Sequence, residues 1–164
     1  MKNTSRIILD NYVFQSTPTI SGTAYSTGDN VGGLITLDAA VPVDGNATLE
    51  AISVLDVDAQ DNEIDFFFFS AEPTASTITD NSAISIDSTD ALSLIGCITV
   101  ESTDYKSIGT PSFAHKHDEF LNLNGDATFG DTERDVYVVM VERGAPTRTD
   151  GNLTVSFHIT WVGE

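Results

Sequence analysis

The residues of this chain best suited to metal chemistry are histidines near position 115. His115 and His117 are two positions apart, which on a β-strand places both imidazoles on one face. Neutral imidazoles bind transition metals well when neighbouring groups hold their orientation. Glu119 follows closely, and His158 lies near the end of the sequence. These residues form a first candidate site. The competing interpretation is a solvated segment, because the local sequence His-Lys-His-Asp-Glu is strongly charged.

The segment from Gly109 to His117 resembles the first motif of the cupins. These are double-stranded β-barrels in which two histidines two residues apart, a glutamate and a later histidine bind a transition metal. The spacing from Gly109 to the histidines agrees with that motif, but Glu119 follows too soon and no Pro-X-Gly precedes His158. A divergent metal-binding cupin enzyme is therefore kept as a second alternative function.

A second candidate site is the acidic stretch between positions 56 and 65. Carboxylate oxygens grouped on a turn suit calcium, but Asp61 replaces the glycine that an EF-hand loop requires at its sixth position. We therefore predict no metal site and no cofactor. The residues retained as secondary metal candidates are Asp56, Asp58, Asp61, His115 and His117.

No other catalytic signature occurs in the sequence. There is no Gly-X-Ser-X-Gly elbow, phosphate-binding loop or Cys-X-X-Cys pair, and the three histidines form no recognisable triad. Cys97 lies in an apolar run, 94–98, and is expected to pack in the core. We therefore predict that the chain is not an enzyme.

Charge and hydropathy exclude two classes of partner. The formal net charge is −18, from 25 acidic and 7 basic residues, and Arg134, Arg143 and Arg148 are the only loose basic group. A polyphosphate would be repelled, so no nucleic-acid binding is expected. No run approaches the roughly 18 apolar residues that span a bilayer, and the start is too short in apolar residues for a signal peptide. We expect synthesis in a cytoplasm and no membrane partner.

The elements that position these residues are predicted to be strands. Short β-branched and aromatic runs alternate with Gly, Asp, Asn, Ser and Thr clusters, a pattern typical of sandwiches and barrels. We predict an all-β, antiparallel β-sandwich, jelly-roll-like, with about eight strands. The strands are expected near 6–14, 31–37, 47–57, 64–70, 83–87, 94–101, 135–142 and 152–162. One helical turn is expected at 88–93, and a long loop at 103–124.

Two parts of the chain are distinguished. An extended N-terminal arm with the first strand covers 1–30, and a single sandwich domain covers 31–164. The arm is polar and unpatterned beyond its first strand, so we expect it to be either frayed or ordered by lying on a partner.

Two predicted strands are apolar on both faces. In 64–69, alternation places Phe67 and Phe69 opposite Phe66 and Phe68, and in 136–141 both faces are again apolar. The surplus faces must be covered by another part of the chain or by a neighbouring molecule, and the sequence leaves both possibilities open. The last strand differs, because 153–161 alternates cleanly between apolar and polar residues.

From Ser26 to Val100 the chain resembles a group of small proteins encoded by tailed bacteriophages. The matching motifs are Gly28-Asp29-Asn30-Val31-Gly32-Gly33, Leu34 to Leu37, Asp44-Gly45, Asp56-Val57-Asp58-Ala59-Gln60, Phe66 to Phe69 with Pro73, Asp80-Asn81, and Leu94-Ile95-Gly96. These motifs cover under half of the chain.

This resemblance implies a virion structural protein, made in the host bacterial cytoplasm, that decorates the capsid surface. Such a cement protein would stabilise a phage head by bridging shell subunits, with the major capsid protein of the same virus as partner and self-association as a further possibility. The first alternative is a phage tail or fibre module that binds carbohydrate. The contact residues predicted are Tyr12, Val13, Phe14, Phe67, Phe69, Phe113 and Phe120.

Overall fold

The computed structural model describes residues 8–42, 45–123 and 133–163, which form two antiparallel β-sheets packed face to face. The strands in this part of the chain are β1 (Ile8–Ser16), β2 (Asn30–Pro42), β3 (Asn46–Asp56), β4 (Ile64–Phe69), β5 (Leu94–Val100), β6 (Tyr105–Ser107), β7 (Ser112–Leu123), β8 (Glu133–Glu142) and β9 (Leu153–Gly163). Short 3-10 helices at Asp90–Ser93 and Ser102–Asp104 precede β5 and β6. No helix in the described ranges is long and apolar enough to cross a membrane.

The strand order is that of a jelly roll. One sheet has the order β1-β9-β3-β7-β6 and the other the order β2-β8-β4-β5. The pairs are nested along the chain: β4 pairs with β5, β3 with β7, β2 with β8 and β1 with β9. Nested antiparallel pairs that divide between two sheets define this architecture. The prediction of an all-β antiparallel sandwich of jelly-roll type is confirmed.

The core between the sheets is built from the inward faces predicted by alternation. Phe66 and Phe68 of β4 meet Phe157 of β9 edge to face, with ring centroids 6.1 and 6.0 Å apart. All three side chains are buried. Such aromatic pairs add roughly 0.5–1.5 kcal/mol each beyond the apolar area that they bury.

The outer face of the four-stranded sheet is covered by the chain itself. Residues 70–93, here called the cover segment, place Ile78, Ile84 and Ile86 against Phe69 of β4 and Val139 of β8. The surplus apolar faces are therefore closed within the molecule. A strand predicted at 83–87 is wrong, because this segment makes only isolated bridges such as Thr77 with Ser85. Its alternating isoleucines point down onto the sheet without joining a ladder.

Residues 17–29 lie along their own sandwich. Ile20 and Tyr25 belong to the buried core, although the surrounding sequence is polar. Asp80 of the cover segment accepts hydrogen bonds from the Ser21 N–H (2.7 Å), the Tyr25 hydroxyl (2.6 Å) and the Gly32 N–H (2.6 Å). Burial, together with the hydrogen bond to Asp80, raises the pKa of Tyr25. The arm was predicted to be either frayed or ordered by a partner. In this segment, acceptors within the chain supply the order, because Asp150 also accepts from the Ile20 N–H (3.0 Å) and the Pro146 carbonyl from the Tyr25 N–H (2.9 Å).

Two further sequence predictions are corrected. The segment predicted to be a long loop, 103–124, contains the strands β6 and β7. They were missed because the usual alternation is inverted in β7, where apolar Phe113 faces outward and charged Lys116 faces Asp104. Cys97 is exposed and not in the core, because alternation along β5 turns its neighbour Ile98 inward instead. The helical turn predicted at 88–93 is present as the 3-10 helix Asp90–Ser93.

Candidate interaction surface

All three histidines of the chain lie on the outer face of the five-stranded sheet. The strand register places Val13, His158, Ala51 and His117 side by side across β1, β9, β3 and β7. One step along the same strands, Ser53 lies opposite His115. We call this surface the histidine face; its members are Val13, Ala51, Ser53, Phe113, His115, His117, Phe120 and His158.

Apolar side chains are exposed on the histidine face. Val13 is 60% exposed, Phe120 64% and Phe113 37%. The ring of Phe113 stacks on that of His115, with centroids 6.4 Å apart and planes 9° from parallel. Exposed aromatic and aliphatic groups that share a surface with polar neighbours are typical of protein contact sites.

An irregularity in β7 holds Phe120 outward. The β3–β7 register shifts between Leu49 and Ala51, and Asp118 (φ 65°) and Phe120 (φ 41°) have left-handed backbone conformations. Such conformations cost on the order of 1–3 kcal/mol for a residue with a side chain and concentrate at functional sites. Phe120 and the histidines line a depression of about 270 Å³. Its lining also includes Glu50.

Ser53 connects two of the imidazoles. Its Oγ lies 2.8 Å from His115 Nδ1 and 2.9 Å from His158 Nε2. Because a hydroxyl has one proton, it can donate to only one of these two nitrogens and accepts from the other, so the two rings have opposite roles towards Ser53. The His115 ring centroid lies 5.5 Å from that of His158 and 6.0 Å from that of His117. Burial, and then the neighbouring His115, lower the pKa of His158.

The Ser53–histidine contact does not form a hydrolytic site. Ser53 is in the middle of β3, which pairs with β7 on one side and β9 on the other. The neighbouring backbone N–H groups are therefore engaged in the ladders and cannot bind an oxyanion. Stabilisation of the oxyanion usually contributes more to acyl-transfer catalysis than any other single effect, so the contact lacks what such a reaction most needs.

The seven predicted contact residues divide between three places. Val13, Phe113 and Phe120 come together on the histidine face. Tyr12 and Phe14 point to the other side of β1, where Tyr12 packs on Trp161 with ring centroids 4.1 Å apart and Phe14 packs on the core. Phe67 and Phe69 belong to the opposite sheet.

The contact predicted for Phe69 needs an exposed side chain, and the cover segment leaves Phe69 only 1% exposed. Phe67 is partly buried in the same cluster. Neither side chain lies on the histidine face, which carries Phe113 and Phe120. The apolar character of strand 64–69 therefore reflects two packed layers within the chain.

The acidic candidates surround a buried arginine. Arg148 donates to Asp56 at 2.7 Å and to Glu142 at 3.1 Å, and all three side chains are at most 1% exposed. This ion cluster joins the ends of β3 and β8. Burial raises the pKa of Glu142 despite the opposing charge of Arg148. Sequence reasoning missed Glu142 and Arg148, because no local pattern marks an arginine in a polar loop as buried.

The other acidic candidates are also bonded by protein donors. Asp58 accepts from the Thr149 N–H and from the Asn152 amide at 2.8 Å, and Asp61 accepts from the Ser112 hydroxyl. Burial acts to raise the pKa of Asp58, but these hydrogen bonds outweigh it and lower the pKa. The carboxylates Asp56, Asp58 and Asp61 thus serve loop structure and ion pairing, which accounts for them without calcium.

The three arginines that the sequence analysis grouped together also lie in separate environments. Arg148 is buried in the ion cluster, and Arg143 donates to Asp65 at 2.6 Å. Arg134 lies on β8, where its guanidinium is 3.4 Å from the Pro42 carbonyl. The three arginines do not combine into one basic patch.

No protein-family model matches the chain, and no curated protein matches its sequence. Similar solved structures include chains of Desmodium yellow mottle tymovirus (15% identity, TM-score 0.32, 97% of this chain and 89% of that one) and turnip yellow mosaic virus (12%, 0.34, 98% and 83%). A chain of cocksfoot mottle virus is similar as well (13%, 0.29, 92% and 94%). Because these TM-scores are low, the functional proposal rests on the geometry of the chain itself.

Proposed function

We propose that this chain is a structural protein of a virus particle and that it attaches to neighbouring subunits through the histidine face. The jelly roll is an architecture of viral capsid domains, lectins and cupins. Here the space between the sheets is filled by aromatic and aliphatic side chains, and the histidines lie outside it. A packed sandwich with exposed apolar side chains on one outer face favours a role in protein contact.

The observation that carries the proposal is the joint exposure of Val13 and Phe120 on one sheet face. A left-handed backbone at Phe120 holds its ring in solvent at a conformational cost, which a buried contact in an assembly would offset. Aromatic anchors of this kind dominate the energy of interfaces that bury about 800 Å² per partner.

The finer form of the proposal draws on the phage-protein resemblance of residues 26–100. In that form the chain is a decoration, or cement, protein on the outer surface of a phage head, and its partner is the major capsid protein. The net charge of −18 supports this role, because a strongly acidic outer surface keeps decorated particles from associating.

Quantitative peptide mass spectrometry on gradient-purified particles tests the role. A ratio near one copy per shell subunit, or one per few subunits, is the expected result. A handful of copies per particle would instead indicate a tail or fibre component, and absence from the particles would refute the virion role.

A variant pair tests the surface. Val13→Ser with Phe120→Ser should abolish co-sedimentation with particles that lack the protein, while the melting temperature stays close to that of the wild type. The matched control is Leu92→Ser, since Leu92 is 88% exposed but lies in the cover segment, on the other sheet. If the double variant attaches as well as the control, the histidine face is not the contact surface.

A further inference from the structure

We propose that His115, His117 and His158 form a binding site for one first-row divalent metal ion, of the Zn²⁺ or Co²⁺ class, on the outer face of the five-stranded sheet. The site is distinct from the acidic turn and from the core between the sheets. It lies on the histidine face that the attachment proposal also uses, but its test measures metal binding by the free chain and does not depend on attachment.

The strand register brings three imidazoles to one place. His115 and His117 occupy alternate positions of β7 and therefore share a face. His158 on β9 lies in the same row as His117. The residue between them is Ala51, whose small side chain leaves space between the two imidazoles. Ala51 and the three imidazoles line the depression of about 270 Å³.

Ring spacings suit a shared ion. With metal–nitrogen bonds of about 2.0–2.1 Å and a tetrahedral angle, two ligating imidazoles have ring centroids roughly 5 Å apart. The observed separations are 5.5 Å for His115 and His158 and 6.0 Å for His115 and His117. Both of these separations from His115 are within about 1 Å of a ligating separation.

Binding requires the rings to turn. In the described part of the chain no three donor side chains are arranged to hold a metal ion, and Ser53 lies within hydrogen-bond distance of both His115 and His158. Leaving Ser53 gives up two hydrogen bonds between neutral groups, each with a net value of about 1 kcal/mol. His117 is two-thirds exposed, and its described contacts are the hydrogen bond to the exposed Asp118 and the ring contact with His115, so its ring can turn without displacing a buried group.

The surroundings favour a cation. Glu50 and Asp118 lie at the rim of the depression, and the chain carries a net charge of −18. A neutral imidazole is the form that ligates a metal. Nitrogen donors distinguish this site from the oxygen-only sites that select Mg²⁺ and Ca²⁺.

Isothermal titration of the full chain with Zn²⁺ tests the proposal, together with the visible spectrum of the Co²⁺ complex. We expect one Zn²⁺ per chain, no competition from a large excess of Mg²⁺, and weaker binding as the pH falls through the histidine range. His117→Gln and His158→Gln should each weaken Zn²⁺ binding by about 100-fold or more, since loss of a supporting group alone costs 10–100-fold.

Two matched variants complete the test. Asp87→Asn removes an exposed carboxylate of the cover segment and should leave Zn²⁺ binding unchanged. Ser53→Ala should bind Zn²⁺ at least as tightly as the wild type, because it releases both rings. The proposal is overturned if Zn²⁺ binds no more tightly than Mg²⁺, or if His117→Gln, whose exposed side chain is not needed for folding, binds Zn²⁺ like the wild type.

Discussion

Replacing Arg148 by methionine should cost a large part of the stability of the fold. The substitution keeps a long side chain but leaves Asp56 and Glu142 buried without their cation, at positions that are at most 1% exposed. Removing one partner of a buried ion pair costs roughly 3–5 kcal/mol. Since domains of this size are stable by about 5–15 kcal/mol, the urea midpoint should fall steeply at pH 7.

The pH dependence of that loss identifies its cause. Burial already raises the pKa of Glu142, and removal of Arg148 raises it further. The folded variant then takes up protons that the unfolded chain does not. The stability that the variant has lost relative to the wild type should therefore become smaller as the pH falls towards the ordinary pKa of glutamate. Adding Glu142→Gln to Arg148→Met should recover part of the loss at pH 7.

Arg143→Met provides the control for this experiment. Arg143 also pairs with a carboxylate, Asp65, but it is 34% exposed, and exposed pairs contribute about 0–1 kcal/mol. Urea unfolding of both variants, with equal m-values, gives the comparison. An Arg148→Met variant that loses no more stability than Arg143→Met would refute the account of the cluster.

Three further outcomes are expected. Gly32→Ala should destabilise the fold by several kcal/mol in urea unfolding, because φ is +75° and a Cβ would lie 2.2 Å from a carbon of Pro18. The control is Gly28→Ala, which should cost only about 1 kcal/mol, because φ is also positive there but the space around a Cβ is open. Phe69→Ser should lower the unfolding free energy by about 3 kcal/mol or more, and Phe120→Ser by under about 0.5 kcal/mol, a ranking that equal losses would contradict. Because the pKa of His158 is lowered, the wild type should lose stability as the pH falls below about 6.5, and thermal melts of His158→Gln should show a smaller loss.

Side-chain alternation made much of the fold predictable. It placed Leu153 to Trp161 with one face in the core, and it separated Phe66 and Phe68 from Phe67 and Phe69. The same rule failed at β7, whose outward side carries Phe113 and Phe120 while Lys116 points inward to Asp104. A strand that presents apolar groups to solvent and a partly exposed lysine on its other side resembles a charged loop in sequence.

The candidate site depends on pairings that no local pattern specifies. Ser53 meets His115 across 62 residues and His158 across 105 residues, and Arg148 meets Asp56 across 92. Strand register decides these contacts, and the sequence constrains register only through the apolar face. Val13, Phe113 and Phe120 were predictable one by one from their type as contact residues, whereas their shared face follows from the order of β1, β9, β3 and β7.

The nested pairing of strands governs when the protein can fold. β1 is synthesised first, but its partner is β9, so nine residues of β1 have no sheet to join until residues 153–163 have left the ribosome. The central pair β4–β5 and its cover segment are local by comparison and can form early. Contacts between such distant parts of a chain slow folding and leave strand edges open to other chains meanwhile. Rapid synthesis in large amounts should therefore favour aggregation of the nascent protein over its folding.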